Sequence, residues 1–61
     1  MASVGDKYTK GKHTYVVKNI DKSDRFMYIY VLKEGDEDIQ QNYHIYGIAA
    51  FNTKFTKKEE S

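Results

Sequence analysis

Phe26-Met27-Tyr28-Ile29-Tyr30-Val31-Leu32 carries the strongest structural signal in the chain. Seven consecutive residues are apolar or aromatic, and they alternate in kind. In an extended chain successive side chains point to opposite sides. Phe26, Tyr28, Tyr30 and Leu32 then share one side, and Met27, Ile29 and Val31 share the other. A strand apolar on both sides is buried on one and at least partly covered on the other.

Asp21-Lys22-Ser23-Asp24 precedes this strand as a polar connection of hairpin length. Before it, His13 to Ile20 reads as a strand, because Tyr15, Val16, Val17 and Ile20 are aromatic or β-branched. Lys10-Gly11-Lys12 predicts the turn into that strand. Val4 to Lys12, polar and punctuated by Gly5 and Gly11, is expected to be a turn-rich approach. On the other side, Glu34-Gly35-Asp36-Glu37-Asp38 predicts a charged turn, and Ile39 to Ile48 a third strand. In that strand Tyr43, Ile45 and Gly47 alternate against His44, Tyr46 and Ile48. Ile48, Phe51 and Phe55 stand three and four apart, the spacing of a short helix with one apolar face. Phe51, Thr53 and Phe55 also alternate, so a short strand is the competing expectation.

With 61 residues the chain has room for one domain, expected over residues 4–56 with loose ends at 1–3 and 57–61. Such a domain has a thin stability margin. There is no cysteine, hence no disulfide and no thiolate metal site, so six Tyr, three Phe and the aliphatic residues must build the core. Four or five short strands, no proline and no long helix predict an all-β fold: a small barrel of antiparallel strands that curls to cover the aromatic side and to reduce exposed edges.

Lys7-Tyr8, Lys10-Gly11-Lys12 and Tyr15-x-Val17-x-x-Ile20, with the finish Ile48-Ala49-Ala50-Phe51-x-x-x-Phe55, resemble small SH3-like barrels. In particular they resemble short uncharacterised proteins of bacteria, phages and prophages that open on Lys-Gly-x-x-Tyr-x-Val and end on two spaced phenylalanines. The resemblance runs from about Gly5 to Phe55 with several gaps. It implies an SH3-like barrel and a phage-like origin, and no particular activity, because small barrels host many functions. The chain lacks the Ala-Leu-Tyr-Asp-Tyr segment and the groove tryptophan of SH3 domains that bind proline-rich peptides. The resemblance therefore does not extend to polyproline recognition.

Catalytic chemistry finds few residues to work with. Ser3, Ser23 and Ser61 fall in expected loops or ends, and none sits in a sharp glycine-flanked turn beside a base. His13 and His44 are the only histidines and have no metal-motif spacing. Asp36-Glu37-Asp38 lacks the alternating oxygen ligands of a calcium loop, and no glycine-rich phosphate loop is present. The expectation is a binding protein, not an enzyme, without cofactor or metal.

Two partner classes fit. Ten basic and nine acidic residues give a formal charge of +1, which argues against general coating of nucleic acid or anionic membrane. The leading expectation is a protein partner, with the chain a phage-encoded modulator of a host protein. It would dock through an aromatic sheet face of Arg25, Phe26, Tyr28, Tyr30 and Tyr46, rimmed by charges such as Lys33 and Glu34. The alternative is nucleic acid, contacted by Lys7, Lys10, Lys12, His13 and Lys18 interleaved with Tyr8 and Tyr15. A monomer or a twofold dimer is expected. No apolar run is long enough to span a membrane and no signal peptide is visible, so a cytoplasmic, complete small gene product is expected from the Met1 start.

Overall fold

Residues 2–58 are described by the structure, a computed structural model. Among the described residues, five strands and one helix follow in chain order. They are β1 (Lys7–Lys10), β2 (His13–Lys22), β3 (Met27–Lys33), β4 (Tyr43–Gly47), α1 (Ile48–Lys54) and β5 (Thr56–Lys57). A 3-10 turn, Gln40–Asn42, leads into β4. All pairings are antiparallel, in the spatial order β4-β3-β2-β1-β5. The all-β expectation holds. Among the described residues no ladder joins β4 to β5, so the sheet has two edges and a helix lies over one of its faces.

The decisive heptad is extended, and its two sides have different fates. Ile29 and Val31 are fully buried, with Met27 packed beside them. They meet Tyr8, Tyr15, Val17, Phe51 and Phe55 in one core. The aliphatic side is therefore the inner one. On the aromatic side Leu32 is buried and Tyr30 half-buried, but Phe26 and Tyr28 stay exposed, contrary to expectation, because the helix and the two phenylalanines lie on the aliphatic side. Burying a side chain such as Phe51 or Ile29 stabilises by about 1.5–3 kcal/mol.

Lys10 pairs with His13 across Gly11 and Lys12. Gly11 has φ of +62°, the first central position of a two-residue hairpin turn that favours glycine. The hairpin shows β1 to be a true strand, where a turn-rich approach was expected. β2 runs to Lys22, two residues past the expected end, and Ser23 closes the next turn by donating its backbone N–H to Phe26 O at 2.8 Å. Within β2 the register shifts between Val17 and Asn19. Val17 faces Val31 and Ile20 faces Ile29, so Lys18 is the extra residue of a bulge. Without it, Val17 and Ile20 would point to opposite sides. The bulge lets both face inward.

The ambiguity over the last apolar stretch resolves to a helix, α1, in place of the competing strand. Phe51 stacks on Phe55 at 4.8 Å between ring centroids, and Tyr8 meets Phe51 edge-on at 4.7 Å. The helix ends as Phe55 N–H bonds to Phe51 O. The expected third strand is shorter than Ile39–Ile48, since the 3-10 turn takes its first part and α1 its last residue. Lys57, expected to fray, is paired with Tyr8 in β5, and Ala2 packs against the core. Met1 and residues 59–61 lie outside the described residues. Among the described residues no helix is long and apolar enough to cross a membrane.

Candidate docking surface

Tyr28 and Tyr30 lie on the outer side of β3, opposite the core. Phe26, just before the strand, joins them: its ring stacks with that of Tyr28 at 6.1 Å and 23° between planes. Phe26 is 59% exposed and Tyr28 40% exposed. The β3–β4 register adds Ile45, which pairs with Tyr30 and is 55% exposed, and Tyr43, which pairs with Leu32. Tyr30, Tyr43 and Ile45, with Asn19 from β2 and Gln40 from the 3-10 turn, line a shallow groove of about 350 Å³. A smaller groove of about 210 Å³ lies at the other end, where Arg25, Phe26 and Tyr28 meet Gly47, Ala49 and Ala50. The outer side of the sheet therefore carries an aromatic and aliphatic strip, with amide and hydroxyl groups at one end and Arg25 at the other.

Of the five residues expected on this surface, Arg25, Phe26, Tyr28 and Tyr30 come together. Tyr46 does not. It pairs with Ile29 and so faces inward, where it is partly buried against Phe55 at 5.0 Å. Its hydroxyl accepts a hydrogen bond from Lys10 Nζ at 3.2 Å. Lys10 also stands over the rings of Tyr15, Tyr46 and Phe55 at 5.8, 5.6 and 5.7 Å from their centroids. The hydrogen bond to Tyr46 holds the Lys10 ammonium above the usual lysine pKa. Of the expected rim charges, Glu34 flanks the outer side and Lys33 alternates to the inner one.

The residues expected to contact nucleic acid are scattered. Lys7 lies on the outer side, 3.3 Å from Glu34. Lys18, at the bulge, is 3.0 Å from Asp38. Lys10 turns inward as described. Lys12 and His13 are exposed at the β1–β2 turn.

Asp38 ties the acidic loop to the sheet. It accepts a hydrogen bond from the Tyr43 hydroxyl as well as the Lys18 ammonium. Together these hold its carboxyl below the usual aspartate value, the Tyr43 bond contributing most. Reciprocally, Asp38 raises both Tyr43 and Lys18. Asn42 Nδ2 donates to Glu37 O at 2.8 Å and fixes the same loop from within. The wall of the larger groove is thus held in place by polar contacts. Among the described residues no three His, Asp or Glu side chains gather where they could hold a metal ion.

Ile45, Tyr43, Asn19 and Gln40 were not singled out from sequence. For Ile45 and Tyr43 the signal was present in the alternation of the third strand. What was missing was the register against β3, which alone decides which alternate set joins Tyr30.

The described residues form a small, mainly β domain with a buried core on one side of the sheet and exposed Phe26, Tyr28 and Ile45 on the other. No family model, curated protein or solved structure matches the chain.

Proposed function

We propose that this chain is a small protein-binding module that docks a partner protein through the outer sheet face formed by Phe26, Tyr28, Tyr30 and Ile45. The observation that carries the reading is the uncovered Phe26–Tyr28 ring pair beside exposed Ile45, on the face opposite a complete core. Large rigid aromatics left in water are costly to keep and are the residue types that anchor protein interfaces. Arg25 at one end of the strip supplies a polar rim. The resemblance to phage and prophage barrels supports a host protein as the partner and a modulating role.

The basic residues considered for nucleic acid do not share a face, and Lys7 and Lys18 stand beside carboxylates. The protein reading is therefore the one proposed. The test is affinity capture from a bacterial lysate with the tagged chain, with and without nuclease, set against the double variant Tyr28→Ser/Tyr30→Ser. Capture that survives nuclease and is lost by the folded variant is the expected result. Capture abolished by nuclease, or retained by the folded variant, overturns the reading.

A further inference from the structure

We infer that the free edge of β4 pairs with the β4 of a second copy of this chain, antiparallel about a twofold axis at Ile45. The inference does not depend on the docking surface.

Among the described residues, β4 leaves backbone hydrogen-bonding groups unpaired along its outer edge. Glu34 N–H donates to Thr14 O at 2.8 Å, so position 34 turns its backbone toward β2. Along a regular strand this direction alternates. Leu32 and Tyr30 therefore face β2, and Val31 and Ile29 face β4. Their partners His44 and Tyr46 bond to β3, while Tyr43, Ile45 and Gly47 turn their backbone groups to the open edge. Two of those groups are already used. Tyr43 N–H bonds to Gln40 O, and Gly47, as the residue capping α1, gives its carbonyl to the first helical bond. Tyr43 C=O, Ile45 N–H, Ile45 C=O and Gly47 N–H remain.

That set is its own complement. With Ile45 facing Ile45 of the second copy, each Ile45 N–H meets an Ile45 C=O, and each Gly47 N–H meets a Tyr43 C=O. Four bonds form and all the leftover groups are used. A register moved along the strand would leave some of them without a partner.

Side chains and charges agree with the same register. It sets each Tyr43 ring beside the second copy's Gly47, where even an added Cβ would meet nothing within 4 Å. Edge strands in monomers are normally blunted by lysine, proline or a bulge. β4 has none of these, and Tyr-His-Ile-Tyr-Gly carries no formal charge. The opposite edge, β5, is two residues long and ends in Lys57. Arg25 lies by the end of β4, and Asp36 and Glu37 lie in the loop before its start. Antiparallel pairing brings the Arg25 end of one β4 to the acidic-loop end of the other.

The test combines mass and amide exchange. Sedimentation equilibrium of the full chain up to millimolar concentration is expected to show a mass of twice 7.2 kDa. Ile45→Lys places like charges opposite each other and is expected to return a folded monomer. Amide exchange at Ile45 and Gly47 is expected to slow by about tenfold or more on going from dilute to concentrated protein, whereas His44 and Tyr46 stay protected throughout. A monomer mass at millimolar concentration overturns the inference. So does a dimer that Ile45→Lys leaves intact, or one in which Ile45 and Gly47 exchange as fast as in dilute solution. Tyr28→Ser/Tyr30→Ser, which disables the docking surface, is expected to dimerise normally.

Discussion

Asp38 is the residue on which the acidic loop turns. It is exposed, yet it receives both the Tyr43 hydroxyl and the Lys18 ammonium, and its pKa in the folded protein lies below the usual value. The folded state thus favours the ionised form more than the unfolded chain does. The stabilisation is full above the unfolded aspartate pKa of about 3.9 and is lost as pH falls through the lower folded value. Lys18 and Tyr43 are raised by the same contacts, so their share is present at neutral pH and is lost as pH climbs through their folded values, above about 10. Asp38→Asn should therefore lower the urea midpoint at pH 7. The gap to the parent chain should begin to narrow below about pH 4 and close as pH falls through the lower folded value. An equal gap at pH 7 and at acid pH would show that Asp38 acts through something other than its charge. Lys10 is a contrasting case. From sequence it reads as one more basic residue in a polar opening. The fold sets its ammonium over three rings, a role decided by which side of β1 it occupies.

At the scale of elements, β3 and the β1–β2 turn were legible because their signals are local. An alternating apolar heptad and a glycine between two lysines act within a few residues. β1 was not legible, since Lys-Tyr-Thr-Lys offers one apolar side chain and becomes a strand only by pairing with β2 and β5. The side on which Tyr46 lies was equally out of reach. It depends on the β3–β4 register, and a shift of one residue would have exchanged Tyr46 and Ile45 between the faces. α1 was legible as an alternative to a strand. The choice falls to the helix because Phe51 and Phe55 stack on each other within one core, whereas an extended chain would set them about 13 Å apart. That gives α1 a measurable role. Phe51→Ala empties a fully buried site, and such changes cost about 3–5 kcal/mol. A domain of this size rarely has more than about that much stability. Phe51→Ala should therefore lose its cooperative thermal transition and its dispersed amide spectrum. A well-dispersed spectrum would mean that the sheet closes its core without the helix.

For the molecule as a whole, the sheet divides its work between two faces. The inner face holds the fully buried Val17, Ile29, Val31 and Phe51, with four other rings against them. The outer face holds Phe26, Tyr28 and Ile45 in water. In so small a domain, every large apolar side chain left outside is one that could have added to a thin margin. Stability alone would put lysine, threonine or glutamate at those outer positions. If the outer rings serve a partner, removing them should cost the fold little. Tyr28→Ser/Tyr30→Ser is expected to keep its amide dispersion and a cooperative urea transition. Its midpoint should fall by no more than that of Ile29→Val, a one-carbon deletion inside the core worth about 0.5–1.5 kcal/mol. Comparing the two in the same urea series separates the roles of the faces. A double variant that unfolds while Ile29→Val stays folded would make the outer rings structural, a second core layer completing the sheet. Their exposure would then have to be explained without a partner.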